Sequence, residues 1–545
     1  MTTLFKKIKL IREYTNHNKK IFSLNTNKKT FFELPKNINN KKQILIEFNA
    51  FNDFHVVASV LANFLKKRYK GSINAFFNYS LLSAPLRFSY IGNIKWFLGS
   101  FLNKNFFFIY RSFGVQKIFK PKVSNILKKK AEKITLAKLV KIKNKIHLLD
   151  LQINNILIGD LLYDTYLKSK KTPTININSN EFKKFFQEFI ELYYFWEDYF
   201  KNNDVKAIIT SHLSYSYAIP LRLANKKKIL SLVVTSKSII RYSKKTFYGY
   251  GNFKDYSKKF SRLKINHQKK KLDQANINLK KRFDGKIGLK GDKVLFYSDK
   301  SSFNNHKVKK EYIKKNSRTK ILICTHDFFD AVHLYGKFLF SDFHDWLNHI
   351  GNLSKKTNYD WYIKNHPKVG GKFLISHFDT EQIILDFLKK YPNINLLPDD
   401  LSHKYIIKNK IDLVLTVYGT VGIEYPYFKI PVLNAGSNNP HCSFNFNIHP
   451  KNIKEFDTTI MNIPKIKNLK KIRKEILSYY YMSYLKPNNN WFFSDYYHMT
   501  KSIGGYQSLQ TDKIYEYFSK NINADMVTNI EKNLENFINS NKDVI

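Results

Sequence analysis

Cysteine is nearly absent: two residues in 545, Cys324 and Cys442, in unrelated surroundings. That excludes a disulfide framework and a cysteine zinc site, and it suits a reducing compartment. Acidic residues are also scarce, 42 against 93 lysines and arginines, for a formal charge of +51. No run of about 18 apolar residues occurs, so no membrane-spanning helix is expected. The first residues, Met-Thr-Thr-Leu-Phe-Lys-Lys-Ile-Lys-Leu, lack the apolar core and cleavage site of a signal peptide. A cytoplasmic location follows as the expectation. Internal repeats and low-complexity domains are missing too.

The positive excess raises nucleic acid or an anionic membrane as a partner. It is carried mostly by lysine, however, spread along the chain and mixed with Asn, Ile, Phe and Tyr, the set that A-T-rich codons encode. Nucleic-acid readers lean on arginine for bidentate contacts, and no RNP, zinc-finger or KH pattern occurs. The sequence therefore points away from nucleic acid and leaves peripheral contact with an anionic membrane as a use for the charge. Ile94 to Tyr110 is dense in Trp and Phe, and lysine-rich helical sequence follows from Lys117 to Lys145. It reads as a buried aromatic segment between basic helices, or as a membrane-surface segment.

What is abundant is core: 43% of residues are hydrophobic and 16% aromatic. The length exceeds one core, so two or three domains are expected. Short apolar runs alternate with helical spacing, the pattern of an α/β chain with parallel sheets. Gln43 to Phe48 reads as the first buried strand, with a loop to His55 and a helix from Val56 to Tyr69. Asn52, Asp53 and His55 then lie at a strand C-terminus, where doubly wound folds bind ligands; helix capping is the simpler use of Asp53. Asp160 and Asp164 fall four apart on one helix face, fit for acid–base work or for pairing with lysines. Phe182–Lys201 and Ala218–Asn225 read as helices, Lys206–His212 and Ile229–Val234 as strands. Residues 255 to 288 are lysine-rich and poor in apolar spacing, and are read as the domain boundary. A second series begins near residue 318, with strands Lys320–Cys324, Trp361–Pro367, Asn393–Leu396 and Asp412–Thr416, and another headed by Pro431. Beyond Pro450 the chain reads as helical, including Leu469 to Leu485, with an aromatic cluster from Trp491 to Tyr497. The expected division is 1–288, 289–455 and a C-terminal helical segment, 456–545.

Three strand ends of the second series carry polar groups: His326, Asp327, Asp330 and His333; Lys364 and His366; and Tyr418, Gly419, Thr420 and Glu424. In a parallel sheet these loops gather on one edge. Thr420 is placed to cap a short helix from Val421 to Phe428, whose first N–H groups favour an anion. Glu424 lies one turn in, on the side that would face a ligand or its ribose. Two histidines, a lysine and a helix start at one edge describe a phosphate or diphosphate pocket. A histidine there can stabilise the charge on a leaving nucleotide, and Pro367 keeps His366 extended. The competing use of His326, Asp330 and His333 is a metal site, for which the loop shows no supporting shell; no metal is assigned.

Lys364-Asn-His-Pro367, Tyr418-Gly-Thr-Val-Gly-Ile-Glu424 and Lys429-Ile-Pro-Val-Leu-Asn-Ala-Gly436 together resemble the capsule polysaccharide synthesis family, cytoplasmic GT-B glycosyltransferases related to bacterial Kdo transferases. The stretch His326–Gly336 and the Asp345-Trp-Leu347 helix are similar to a surface-polysaccharide branch of that group. The likeness is strongest over residues 320 to 450 and weaker at 159–164 and Ser211-His212. It implies two Rossmann-like doubly wound domains facing a central cleft, acceptor side first and donor side second. His366 would contact the donor phosphate, with Lys364, Tyr418, Gly419 and Thr420 around it and Glu424 holding ribose or orienting the site. The donor would be a nucleotide sugar, a CMP-sugar favoured, taken as substrate without any further cofactor, and the acceptor a glycan or lipid-linked glycan. The acidic base motif of bacterial sialyltransferases does not occur, which leaves Asp53, Asp160 and Asp164 as candidate bases beside His326 and Asp330 as catalytic candidates. The neighbouring readings are a CDP-polyol phosphotransferase of teichoic-acid type, a nucleotide-sugar 2-epimerase, and a non-enzymatic basic membrane- or nucleic-acid-binding protein.

Overall fold

The central apolar runs, such as Ile44–Phe48 and Ile321–Cys324, are buried along their whole length, as parallel strands covered on both faces are. The computed structural model describes residues 38–49, 52–77, 108–235, 238–249, 253–286, 302–304, 308, 310–366, 377–486, 499–500, 502–504, 508–509 and 513–545. The chain forms two units: Met1–Ser169 with Asn176–Gly251 and Pro487–Ile545, and Lys170–Ile175 with Asn252–Lys486. Each is a Rossmann-like α/β unit, as the sequence leads one to expect. The expectations for residues 1–37, for 94–107, for Pro367 and for Trp491–Tyr497 fall outside the described residues. Among the described residues no helix is long and apolar enough to cross a membrane.

In the first unit the strands are β1 (Asn39–Phe48), β2 (Gly71–Phe77), β3 (Val115–Phe119), a small hairpin of β4 (Gln152–Ile153) and β5 (Ile156–Leu157), then β6 (Asp204–Thr210), β7 (Leu230–Val234) and β8 (Ile239–Arg241). The main sheet runs β3-β2-β1-β6-β7-β8, parallel except for β8. The chain moves outward from β1 to β2 and β3 and then returns to β6 on the other side. The strand order therefore reverses between β1 and β6, and ligands of such sheets bind beyond the strand C-termini at that point. The helix Asn52–Tyr69 follows β1 with Asp53 in its first turn.

In the second unit the strands are β9 (Lys320–Cys324), β10 (Asp360–Lys364), β11 (Ile394–Leu397), β12 (Leu413–Thr416) and β13 (Val432–Asn434). All are parallel, in the order β11-β10-β9-β12-β13. Here the reversal falls between β9 and β12.

Two boundaries differ from expectation. The units part at Gly251 and Asn252, not near residue 288. The lysine-rich stretch hides a helix, Ile265–Phe283, whose Ala275, Leu279 and Phe283 follow each other at four-residue spacing and are buried. They join one apolar cluster with Ile423, Tyr427, Ile476 and Tyr480. Nor is 456–545 one segment. The helices Ile453–Met461 and Leu469–Tyr480 belong to the second unit, whereas Lys513–Asn521 and Ala524–Asn539 return to the first. There Ile514, Phe518, Leu534 and Phe537 share a core with Val57, Leu61 and Leu65. The chain end completes the sheet edge: Ile239 and Ile545 exchange backbone hydrogen bonds of 2.9 and 3.0 Å.

Candidate functional site

The second unit places three of the expected strand ends together at its reversal point. β9 and β12 are neighbours, with Ile323 opposite Leu415, so the residues that follow them meet. The hydroxyl of Thr416 lies 3.0 Å from Nε2 of His326 and accepts the N–H of Gly419 at 3.1 Å. The N–H groups of Val417 and Tyr418 also point at Nε2, at 3.3 and 3.4 Å. Since Nε2 receives these donors, the imidazole proton resides on Nδ1. Burial, and then the charge of His366, push the His326 pKa down to about 3, so the ring stays neutral at ordinary pH. The rings of Tyr418 and Phe343 pack on it at 4.8 and 5.1 Å. His326 thus shapes the turn after β12 and cannot itself supply positive charge there.

His366 follows β10, the strand on the other side of β9, and its N–H donates to the Thr325 hydroxyl at 3.0 Å. Gly419 sits where a side chain would intrude: a Cβ there would come within 2.8 Å of Thr416 Oγ1. His326, His366, Tyr418 and Gly419 therefore share one edge, with Thr420 exposed beside them.

Four expected roles are corrected by the geometry. Lys364 is buried, and its ammonium donates to the carbonyls of Pro398 and Asp399 at 3.1 and 2.6 Å. It fastens β10 to the loop after β11, and burial lowers its pKa. Glu424, expected to face ribose, is 1% exposed and paired with Arg282, whose Nε donates at 2.9 Å. The physical reason is the hidden helix, which lays a guanidinium against that face of Val421–Tyr427. Thr420 does not cap this helix with its side chain; its backbone is already helical, at φ −62° and ψ −21°. Asp160, a candidate base, accepts from both terminal guanidinium nitrogens of Arg222 at 2.7 Å.

Asp330 lies exposed in the loop after β9. His333 Nε2 contacts the Ser341 carbonyl at 2.9 Å, and among the described residues His326, Asp330 and His333 are not a group whose ligand atoms come together. Asp342, His344 and Asp345 do bring ligand atoms within 4.8 Å of one another. Asp342 is occupied in capping the helix Phe343–Ser354 through the Asp345 N–H at 2.7 Å. Asp53 and the buried Asp164 belong to the first unit.

Sequence reasoning passed over Thr416, Arg282 and, in the first unit, Glu47. The signal for Glu47 was present: a lone acid inside Ile-Leu-Ile-Glu-Phe, a run that reads as fully buried. Its carboxylate is 0% exposed and accepts the Ser211 N–H at 2.6 Å and the Ser211 hydroxyl at 2.9 Å.

No protein-family model matches the sequence, and no curated protein matches it. Among solved structures, the UDP-GlcNAc 2-epimerase from Neisseria meningitidis bound to UDP-GlcNAc is 10% identical, covering 80% of this chain and 95% of its own, at a TM-score of 0.21. The Methanocaldococcus jannaschii UDP-GlcNAc 2-epimerase in complex with UDP-GlcNAc and UDP is 10% identical over 80% and 97%, at 0.24. A glycosyltransferase from Rickettsia africae is 12% identical over 92% and 100%, at 0.20. With TM-scores this low, none of these likenesses bears on what the present chain binds.

Proposed function

We propose that the protein is a metal-independent GT-B glycosyltransferase that moves a sugar from a nucleotide-activated donor, a CMP-sugar in the first instance, to a hydroxyl of a growing surface glycan or its lipid-linked precursor. The observation that carries this reading is the meeting of His326, the turn 416–419 and His366 at the strand-order reversal of the second sheet. In this reading the second unit holds the donor. The turn after β12 faces the nucleotide phosphate, and His366 stabilises the charge that grows on it as the bond to the sugar breaks. Neutral His326 keeps the turn in register. The first unit receives the acceptor, and its lysines favour an anionic membrane surface where a lipid-linked acceptor would reside.

The test is a melting-temperature screen with CMP, CDP, UDP, GDP and ADP on the wild type and on His366→Ala. A ligand that binds the folded state raises its stability by mass action. Stabilisation by CMP or CDP that is lost in the variant supports a cytidine donor at this edge; a UDP or GDP response changes the nucleotide and keeps the reaction. No response to any nucleotide contradicts the reading. With donor and acceptor in hand, a product that retains phosphate identifies polyol phosphate transfer instead, and turnover of donor alone to an epimer identifies a 2-epimerase.

A further inference from the structure

The first unit carries a helix with apolar residues on both of its sides. Asn125–Leu139 lies against the helix Asn180–Asn202. Ala131 and Thr135 are buried on the inner side, with Leu127, Ile134 and Lys138 partly buried beside them. Lys130 reaches the same neighbour, 3.1 Å from the Glu197 carboxylate and 4.0 Å from the Tyr194 ring centre. The Ser124 hydroxyl caps the start by accepting the Leu127 N–H at 3.4 Å. The helix is therefore anchored by its inner side, and its outer side needs only polar residues. Instead Ile126, Leu136 and Val140 stand 80, 62 and 73% exposed. Val140, at the helix end, still has helical backbone angles, φ −57° and ψ −32°. Ile126, Lys129, Lys133, Leu136 and Val140 succeed one another at spacings of three and four, so they form one stripe along the solvent side.

We propose that this stripe is a docking surface for an anionic lipid bilayer, with the helix lying in the plane of the headgroups. The choice of a bilayer rests on the reading of a lipid-linked acceptor above, and the stripe names the part of the first unit that meets it. The three aliphatic side chains enter the boundary between headgroups and acyl chains. The lysines between them lay their stems along that boundary and keep their ammonium groups at the lipid phosphates. Because the helix is already folded on its inner side, docking does not have to order it.

Charge selects the occupant. Residues 121–149 hold nine lysines and a single acidic residue, Glu132. Lys122, Lys128, Lys129, Lys133, Lys141 and Lys143 are exposed. Such a face repels a second copy of itself and attracts an anionic partner. Nucleic acid matches it less well than lipid. The stretch holds no Arg, Phe, Tyr or Trp to read or stack on bases, and a phosphate backbone offers nothing to Ile126, Leu136 and Val140. An anionic bilayer offers negative charge at its surface and apolar chains directly behind it.

The test is co-sedimentation of the full chain with vesicles of phosphatidylcholine alone and of phosphatidylcholine mixed with phosphatidylglycerol. The wild type should bind the mixed vesicles, release them as salt rises, and leave the neutral ones unbound. Ile126→Ser/Leu136→Ser/Val140→Ser keeps every charge and should weaken binding about tenfold or more. Lys129→Gln/Lys133→Gln should weaken it about 25-fold, about fivefold for each lysine. Ile265→Ser/Ile277→Ser alters two exposed aliphatic residues on the lysine-rich helix of the second unit and should change nothing. A wild type that ignores the mixed vesicles overturns the proposal. So does full binding by the triple serine variant, since charge alone would then explain the attraction. If those serines instead abolish duplex DNA binding or self-association and spare vesicle binding, the face belongs to that partner and the lipid proposal fails. The melting shift from CMP or UDP should persist in all three variants. A wild type that binds mixed vesicles but shows no nucleotide shift contradicts the transferase reading and leaves the docking surface standing on its own measurement.

Discussion

At the scale of single residues, the chain separates groups that act from groups that hold. Arg282 and Glu424 are a buried pair, 6% and 1% exposed. Removing one partner strands the other charge, so Arg282→Ala should lower unfolding stability by about 3–5 kcal/mol. Urea unfolding of Arg282→Ala beside Arg282→Met/Glu424→Leu checks this: the double variant should recover most of the loss. Gly419 answers to space. Its added Cβ would press on Thr416 Oγ1 at 2.8 Å and approach His326 Cε1 at 3.6 Å. Gly419→Ala should therefore keep the fold, cost about 1–3 kcal/mol, and remove the nucleotide-induced melting shift. A full shift in that variant would mean that the turn does not meet the nucleotide.

At the scale of elements, strands were the legible part. Runs such as Ile321–Cys324 are apolar on every side, and that pattern survives as a central parallel strand whatever surrounds it. The strand-end histidines were legible for the same reason, because parallel topology fixes which ends gather. The helix Ile265–Phe283 was not legible: three buried apolar residues among many lysines give a stripe too thin to read without its partner, Leu469–Tyr480. Without the Arg282 of that helix, Glu424 reads as available to a ligand. Nor does local pattern tell where the helices after residue 513 dock, since their apolar faces fit any sheet. The structure docks them on the first unit, against Val57 and Leu61. Removing residues 513–545 should therefore unfold the first unit's sheet and leave the second unit's hydrogen-exchange protection in place. Retained protection of Ile44 to Phe48 in that truncation would contradict the assignment.

At the scale of the whole molecule, the two units should respond to pH with opposite sign. In the first, the Glu47 pKa is raised from about 4.5 to about 7. Its contribution is fully present below about pH 4.5 and is lost as pH rises through 7. In the second, burial lowers His326 and His441 to about 3 and His449 to about 4. Their contribution is present above the unfolded value of about 6.5 and is lost as pH falls toward 3 to 4. Hydrogen exchange read separately in β1 and β9 from pH 5 to 7.5 should show the first loosening and the second tightening. Parallel trends in the two sheets would contradict these environments.

If a nucleotide binds at the strand-order reversal of the second sheet, as proposed, hydrogen exchange with and without CMP or UDP at saturating concentration should show new protection in 325–328 and 416–422, with β10 and β13 unaffected in their interiors. Binding that protects neither stretch, or that protects only the first unit, would contradict it.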